Sequence, residues 1–193
     1  MSEPRRLSVY NQVSLDGFFK GPGDDTSWTH AGPPDPEVMR FVEENARGGG
    51  ALLFGRKTYE MMASFWPTPA AAAQMPVVAK RMNEMPKLVV SRSLRTASWQ
   101  NTRVLSGDLV TEVRKLKAEP GPGLTILGSG SIVGPLLEAG LIDAVDLLVY
   151  PLLLGRGTSM FQGLERPVPL ELVREKSFPS GKVFFSFAPK AAR

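Results

Sequence analysis

The sequence contains no cysteine and a single histidine, His30, in 193 residues. The absence of cysteine excludes disulfide bonds, thiolate nucleophiles and cysteine-based zinc sites. One histidine cannot build a multi-histidine metal site. A Ser-His-Asp triad is disfavoured because His30 stands in a loop-like stretch with no strand-borne nucleophile beside it in sequence. The sequence therefore predicts no metal centre and little scope for hydrolase chemistry.

Long apolar runs are also missing. No stretch approaches the roughly 20 residues needed to span a bilayer, and the first six residues lack the apolar segment of a signal peptide. We therefore expect a cytoplasmic protein without a membrane partner. Its 193 residues and 42% hydrophobic content suit a single domain over residues 1–193 with a packed core.

The chain has few blocks of one charge. Its net charge is +4 and its pI is near 9.5, but Lys and Arg are scattered among acidic residues. Scattered cations without interleaved aromatic residues disfavour a nucleic-acid partner. A phosphorylated small molecule explains the positive charge at least as well.

What the chain does have is a candidate anion site at Gly55-Arg56-Lys57-Thr58. An apolar run over residues 51–54 precedes this string, and residues of helical character follow it. A helix that starts there directs free backbone N–H groups and the positive end of its dipole at a ligand. The expected guest is a phosphate. The alternative is an ordinary turn between strand and helix whose Arg and Lys are solvated.

The order of predicted elements determines the fold class. Strands are predicted at residues 7–13, 51–54, 87–91, 102–105, 123–127 and 144–154, with a hairpin over 170–178 and 182–187. Helices are predicted at residues 36–46, after residue 58, and at 109–117 and 132–139. Residues 18–36 are predicted to be a long irregular loop, and residues 69–73 an exposed segment. The alternation predicts an α/β protein with three layers, α/β/α, whose mostly parallel, mixed sheet ends in an antiparallel C-terminal hairpin.

Two more turns share the character of the first. Ser91-Arg92-Ser93 and Gly128-Ser129-Gly130-Ser131 also follow predicted strands, and all three turns should line the carboxyl edge of the sheet. Three such turns suit a dinucleotide with an additional 2′-phosphate, which Arg56 and Arg92 can bind bidentately. Residues 128–134 do not fit the Rossmann fingerprint, because the last glycine comes one residue late. Tight packing of strand against helix is the alternative role of these glycines.

At the level of motifs, the chain resembles the dihydrofolate reductase-like fold. Within it, the chain is similar to the RibD C-terminal domain family, the reductase domains of bacterial riboflavin biosynthesis proteins and their stand-alone relatives. The resemblance covers nearly the whole chain. It depends on Val13-Ser-Leu-Asp-Gly17, residues 53–59, 87–92 and 126–131, and Gly140-Leu-Ile-Asp143 followed by residues 152–155. A fused deaminase domain is excluded because its zinc ligands are lacking.

The resemblance implies NADPH as cofactor and a homodimer as the assembly. It places one set of residues around the pyrophosphate and the 2′-phosphate: Gly55, Arg56, Lys57, Thr58, Ser91 and Arg92. A second set would contact the pyrophosphate from the other side: Gly128, Ser129, Gly130, Ser131 and Ile132. The nicotinamide would lie near Val13 and Gly17, and the loop over residues 18–36 would close the substrate pocket.

Candidates for the catalytic acid are Asp16 and Glu37. In dihydrofolate reductases a carboxylate in the first long helix binds the pterin, and Glu37 is the nearest counterpart in this chain, but a first-turn acid also suits the helix dipole. Asp16 is alternatively a turn residue that bonds its own backbone. Trp28 and Phe41 are candidates to flank a flat heterocycle, and their alternative role is core packing.

The function predicted from these features is an NADPH-dependent reductase that transfers a hydride to a small heterocycle of the aminouracil or pterin type. The alternative is a non-catalytic NADP(H)-binding regulatory or sensor protein on the same fold, since a fold does not determine a function. Nucleic-acid binding ranks last.

Overall fold

Strands and helices alternate along most of the chain, and a computed structural model describes residues 4–190. Residues 1–3 and 191–193 of the predicted domain lie outside this range. The strands are β1 (Leu7–Ser14), β2 (Phe18–Lys20), β3 (Ala51–Gly55), β4 (Lys87–Val90), β5 (Thr102–Leu105), β6 (Leu124–Leu127), β7 (Ala144–Tyr150), β8 (Thr158–Ser159), β9 (Leu170–Ser177) and β10 (Val183–Pro189). The helices are α1 (Pro36–Arg47), α2 (Arg56–Phe65), α3 (Pro69–Gln74), α4 (Pro76–Glu84), α5 (Leu109–Ala118) and α6 (Gly130–Glu138).

Eight strands form the central sheet in the order β5-β4-β3-β6-β1-β7-β10-β9. Neighbouring strands from β5 to β7 pair in parallel, whereas β10 pairs antiparallel with both β7 and β9. The predicted mixed sheet with an antiparallel C-terminal hairpin is therefore confirmed.

Helices cover both faces of the sheet. One core cluster contains apolar residues of α5 and α6, among them Val113 and Leu136. The other two clusters pack against α1, α2 and α4 on the opposite face. Consecutive residues of β3, Leu53 and Phe54, enter clusters on opposite faces because side chains alternate along a strand. All of β3 is buried, as expected for an interior parallel strand.

The prediction of an irregular loop over residues 18–36 is partly wrong. The short strand β2 pairs antiparallel with β8, and residues 22–24 and 27–30 form 3₁₀ turns. Because the partner strand β8 lies far along the chain, no local sequence pattern signals this pairing. We call the paired strands β2 and β8 the ribbon.

One further assignment and three boundaries also differ from the predictions. Residues 69–73 belong to helix α3, in which Ala71 is 0% exposed, so the prediction of an exposed segment is wrong there. The strand predicted to reach residue 154 ends at Tyr150, because Pro151 has no N–H for a ladder bond. Helix α2 begins at Arg56 and helix α6 at Gly130, three and two residues before their predicted starts.

Residues 4–190 contain neither a candidate membrane span nor a candidate metal cluster. No helix there combines the length and the apolar character needed to cross a bilayer. No group of three or more His, Asp or Glu side chains in the same range is arranged to hold a metal ion.

Candidate functional site

Two helix starts lie side by side at the carboxyl edge of the sheet. Strand β3 leads directly into α2, and β6 leads through Gly128 and Ser129 into α6. Strands β3 and β6 are parallel neighbours, with Leu53 opposite Ile126. The first N–H groups of each helix have no partner within the helix and carry the positive end of its dipole. The structure therefore brings together two turns that the sequence predicted as anion sites.

Reciprocal hydrogen bonds connect these two turns. The Gly55 N–H donates to Ser129 Oγ at 3.0 Å, and the Ser129 N–H donates to Thr58 Oγ1 at 3.1 Å. Thr58 and Ser129 are each only 4% exposed. The Gly128 N–H donates to Asn11 Oδ1 at 2.6 Å, so strand β1 also fixes the turn. The hydroxyls of Thr58 and Ser129 thus hold the turns in place and do not face solvent.

The turn before α6 has an unusual backbone. Gly128 and Ser129 both have positive φ angles, 61° and 59°. A left-handed conformation is disfavoured for a residue with a Cβ, and such strain concentrates at functional sites. A Cβ at position 128 would lie 2.8 Å from Thr58 Cγ2, so the close approach of the turns requires glycine there.

Exposed cations stand at the rim of the paired turns. Arg56 Nη1 donates to both carboxylate oxygens of Glu60, at 3.0 and 3.1 Å, and Lys57 is exposed. Arg92 is exposed near the start of α5. There, hydrogen bonds from Thr111 are the main cause of the lowered pKa of Asp108, and the charge of Arg92 lowers that pKa further. An exposed i,i+4 ion pair contributes little, about 0.3–0.5 kcal/mol, so a phosphate could readily replace Glu60 as the partner of Arg56.

The remaining predicted residues of the turns divide into buried and exposed ones. The Ser91 hydroxyl accepts from the N–H groups of Ser93 and Leu94, at 3.2 and 2.9 Å, and thereby shapes the turn after β4. Ile132 is buried, and its N–H donates to the Ser129 carbonyl. Ser131 is exposed in the first turn of α6.

The end of β1 lies next to the ribbon. Val13 is 3% exposed, and Gly17 has φ +82°. The Met160 N–H donates to the Gly17 carbonyl at 3.1 Å. A Cβ on Gly130 would lie 3.1 Å from Phe19 Cε1 and 3.3 Å from the Met160 carbonyl oxygen, so the ribbon packs directly against the start of α6. Val13 and Gly17 are thereby tied to the same edge as the paired turns.

The two candidate acids differ in their surroundings. The Asp16 carboxylate accepts from Ser14 Oγ at 2.6 Å, from Leu154 N at 3.2 Å and from Gly155 N at 2.7 Å. These bonds, with the Ser14 hydroxyl as the largest cause, lower the pKa of Asp16. Asp16 therefore joins the turn after β1 to the segment after β7.

Glu37 lies half-buried in the first turn of α1, where its N–H donates to the N-cap Asp35 at 2.9 Å. Its own carboxylate makes no hydrogen bond to any residue in the range 4–190. Of the two acids, Glu37 thus has the carboxylate that is available to a ligand.

Trp28 and Phe41 belong to one cluster on the α1 face, which we call the aromatic cluster: Trp28, Phe41, Tyr150, Phe178 and Phe184. Phe41 is 3% exposed, and its ring centroid lies 4.7 Å from that of Phe184. The edge-to-face pair of Trp28 and Tyr150 has a centroid distance of 5.2 Å. Burial raises the pKa of Tyr150 to about 12.

Sequence reasoning missed three residues near the site. Asn11 fixes the turn before α6, Tyr150 ends strand β7, and Lys182 lies 9% exposed with Nζ 4.8 Å from the Tyr150 ring centroid. Asn11 could have been found from the sequence, because it is a polar residue at a position of β1 where the alternating pattern predicts a buried apolar side chain. Lys182 follows a turn glycine, and nothing in the local pattern marks it as buried.

A shallow depression of about 520 Å³ lies away from the paired turns. It is lined by residues of the C-terminal half of α2, the end of α4 and the segment before β5: Ala63, Pro67, Asn83, Ser98, Trp99 and Gln100. The paired turns lie at the carboxyl ends of the parallel strands, and this depression lies at the opposite edge of the sheet. It is therefore separate from the candidate site.

Comparisons with known proteins agree with the resemblance found in the sequence. The RibD C-terminal domain family matches residues 5–184. The uncharacterized protein YyaP of Bacillus subtilis (strain 168) is 26% identical over 179 residues, which cover 93% of this chain and 92% of YyaP.

Solved structures show the same fold. A putative riboflavin biosynthesis protein from Shewanella sp. PV-4 has a TM-score of 0.77 at 21% identity, covering 96% of this chain and 99% of that one. Dihydrofolate reductase from Enterococcus faecalis, complexed with NADP(H), has a TM-score of 0.62 at 15% identity, covering 98% of this chain and 99% of that one. The predicted dihydrofolate reductase-like fold is confirmed.

Proposed function

Because the chain belongs to the RibD C-terminal domain family, we propose that it is an NADPH-dependent reductase that transfers a hydride to a small heterocycle of the aminouracil or pterin type. The observation that carries the proposal is the pair of helix starts connected by Thr58 and Ser129. Two adjacent positive helix ends suit a pyrophosphate, which presents negative charge to both. The relatives named above support a reductase-like function.

The residues at the paired turns fit NADPH. The N–H groups at the starts of α2 and α6 and the exposed Lys57 and Ser131 would hold the pyrophosphate. Arg56 and Arg92 would bind the 2′-phosphate, since guanidinium matches phosphate geometry bidentately. Bound NADPH would supply the hydride, and Val13 and Gly17 would border its nicotinamide ring.

On the substrate side, Glu37 would bind or protonate the heterocycle. Its carboxylate is half-buried and has no hydrogen-bond partner in the described part of the chain. Asp16 acts as a positioning residue, because its carboxylate is engaged by Ser14, Leu154 and Gly155. The 3₁₀ turn that carries Trp28 would exclude water from the pocket.

Thermal unfolding tests the cofactor. A ligand that binds only the folded state raises Tm, so saturating NADPH should raise it substantially and NADH much less. Arg56→Ala and Arg92→Ala should narrow the difference between the two cofactors. Arg166→Ala is the matched control, because Arg166 is exposed beside Glu165, whose N–H bonds Glu138 at the far end of α6. Equal shifts with both cofactors, or no shift, would contradict the proposal.

Turnover is a separate test. The protein should oxidise NADPH in the presence of a compound from a panel of aminouracils, pterins and nitro compounds, followed by the absorbance of the reduced nicotinamide. Glu37→Gln should abolish oxidation and keep the NADPH-induced rise in Tm. Glu43→Gln, at a half-buried acid on the same helix, is the control and should keep both the oxidation and the rise in Tm.

A second candidate function is NADP(H) binding without turnover, in a regulatory or sensor protein. The contacts of Asp16 favour this alternative. They occupy its carboxylate, so of the two candidate acids Glu37 alone could donate a proton to a substrate. A rise in Tm with NADPH, but no oxidation with any compound of the panel, would establish this alternative.

A further inference from the structure

The segment over residues 22–34, which we call the strap, connects the ribbon to helix α1. It consists of two 3₁₀ turns and the residues beside them, and most of its side chains are exposed. Directly after the strap, the Asp35 carboxylate accepts from the Ser180 N–H at 3.0 Å and from the first N–H groups of α1. The strap is thus an exposed segment whose end at α1 is fixed. A segment with few buried contacts opens at low cost.

Tyr150, the last residue of β7, holds the middle of the strap. Its hydroxyl lies 3.0 Å from the Thr29 carbonyl oxygen, and its ring packs edge-to-face against that of Trp28. Among residues 4–190, the bond to Thr29 is the only hydrogen bond between the strap and the central sheet. We call this hydrogen bond the tie.

The hydroxyl that makes the tie has a second acceptor. Gln12 Oε1, on strand β1, lies 2.8 Å from the Tyr150 hydroxyl. Burial raises the pKa of Tyr150 to about 12, so the hydroxyl keeps its proton at neutral pH. A tyrosine hydroxyl has a single proton and can donate it to one acceptor at a time. Gln12 and Thr29 therefore compete for it, and donation to Gln12 releases the tie.

Gln12 lies at the end of the sheet where the reaction is proposed. It is half-buried and directly precedes Val13, which we placed beside the nicotinamide. In the register of β1 and β7, Tyr150 pairs with Ser14, two residues after Gln12. A ligand N–H group that donates to Gln12 Oε1 takes the place of Tyr150 as donor. The Tyr150 proton then stays with Thr29, so filling the pocket would close the strap.

We propose that Tyr150 is a positioning residue of the reductase, whose hydroxyl holds the strap over the substrate pocket in competition with Gln12. The proposal rests on the proposed function for the reaction that the strap would serve, whereas the competition for the proton involves this chain alone. The strap ends three residues before Glu37, so a closed strap keeps water away from the acid that we placed beside the substrate. One ordinary hydrogen bond changes the ratio of closed to open forms by roughly two- to tenfold.

Amide hydrogen exchange measures opening of the strap without any ligand. The Thr29 N–H donates to the Thr26 carbonyl at 3.0 Å, and the Ala31 N–H donates to the Trp28 carbonyl at 3.2 Å. Both bonds lie within the strap, so exchange of these two amides reports how often the strap opens. The measurement uses the full-length ¹⁵N-labelled protein at constant pH.

Two substitutions act on the tie in opposite directions. Tyr150→Phe keeps the ring and removes the tie, so exchange of the strap amides should become faster by up to about tenfold. Gln12→Met keeps a similar volume and removes the competing acceptor. Exchange should then become slower by about twofold, because an equal division of the proton leaves Thr29 without it half of the time. A role for both residues in stability alone would make exchange faster in both variants.

Tyr59→Phe is the matched control. The Tyr59 hydroxyl accepts from the Trp99 N–H at 2.9 Å in another core cluster, so its loss removes a tyrosine hydrogen bond away from the strap. Exchange of the strap amides should not change in this variant. Gln12→Leu is the second variant if Gln12→Met does not fold, and a cooperative urea transition confirms that a variant is folded.

Kinetics then connect the tie to the reaction. With the compound of the panel that supports NADPH oxidation, Tyr150→Phe should lower kcat/KM for that compound by about the factor by which exchange becomes faster. The KM for NADPH should stay unchanged, because the cofactor is proposed to bind at the paired turns. A merely structural loss would change both values.

Three results would overturn the proposal: unchanged exchange in Tyr150→Phe, unchanged or faster exchange in Gln12→Met, or equal effects of Tyr150→Phe and Tyr59→Phe on the strap. If no compound of the panel is reduced while the two variants still shift exchange in opposite directions, the proposed function fails and the tie remains.

Discussion

Two regions of the molecule each contain a buried lysine beside aromatic rings and a tryptophan. In the first region, Lys87 is 1% exposed and its Nζ lies 4.4 Å from the Trp99 ring. The ammonium donates to the carbonyls of Met82, Asn83 and Met85 at 2.8, 3.0 and 2.7 Å. Trp99 Nε1 donates to Asn83 Oδ1 at 2.7 Å. Each of these donors has an acceptor within the protein.

In the second region, the donors of Lys182 and Trp28 have no acceptor among residues 4–190. The contrast separates two uses of a buried cation. Lys87 closes the C-terminal end of α4, where the last carbonyls of a helix have no partner within it. Lys182 closes nothing of that kind. Burial alone therefore does not indicate function, since Lys87 is buried and has all its acceptors within the protein.

The largest expected effect comes from Lys87. Lys87→Met fills a similar volume but leaves the buried carbonyls of Met82 and Met85 without their donor, and each unsatisfied acceptor is costly. We expect a loss of about 2 kcal/mol in the free energy of unfolding at pH 7, because relief of ammonium desolvation offsets part of the penalty. Urea denaturation measures it. Unchanged stability would show that the two regions do not differ in the way described.

The pH dependence of stability sharpens the comparison. Burial lowers the pKa of Lys87 to about 8 from its usual 10.5. Between these values the unfolded chain binds more protons than the folded one, so this group makes stability rise with pH. The deficit of Lys87→Met relative to wild type should widen from pH 8 to pH 10.5, by at most about 1.4 kcal/mol per pH unit. Urea denaturation of both proteins across this pH window measures the difference in their free energies of unfolding. A difference that stays constant with pH would contradict a lowered pKa of Lys87.

The two tryptophans form a matched pair. Trp99→Phe removes the donor to Asn83 Oδ1 and should cost about 1.5 kcal/mol, less than Lys87→Met. Trp28→Phe removes a donor without an acceptor in the described residues, and should cost only the lost ring volume, about 1 kcal/mol or less. Urea denaturation of both variants without ligand measures the difference. Equal losses would contradict the assignment of Trp28 as an unpaired donor.

The smallest effect on stability is expected at Lys182. Lys182→Met removes a charge that no protein acceptor uses, so the unliganded protein should change by no more than about 0.5 kcal/mol. Urea denaturation at pH 7 tests this prediction, as it does for Lys87→Met. A loss as large as that of Lys87→Met would make Lys182 a structural residue and remove the contrast.

Local chemistry in the sequence predicted much of the framework. The helices predicted at residues 36–46 and 109–117 are present, and the residues directly before them, Asp35 and Asp108, accept from backbone N–H groups of the first helical turn. The strings at residues 55–58 and 128–131 were predicted to line the same edge, and they do because β3 and β6 are parallel neighbours. Each of these predictions depends on residues close together in the chain or on the order of elements.

The remainder depends on partners far apart in the chain. Thr58 and Ser129 bond reciprocally across the two turns, so nothing near either residue indicates that its hydroxyl faces inward. Lys87 is the first residue of β4, and Lys182 directly precedes β10. The neighbouring sequence gives no sign that either side chain is buried. Lys87 has acceptors because the carbonyl end of α4 lies beside it.

Gly157 sets a limit on how this architecture can vary. Its φ is +150°, and a Cβ at this position would overlap the Lys20 carbonyl oxygen of the ribbon. A side chain there would push β2 away from β8 and from the start of α6, on which the ribbon rests. A homologue with any other residue at this position must therefore place its ribbon differently, so one column of a sequence comparison can separate relatives that share this pocket wall from those that do not.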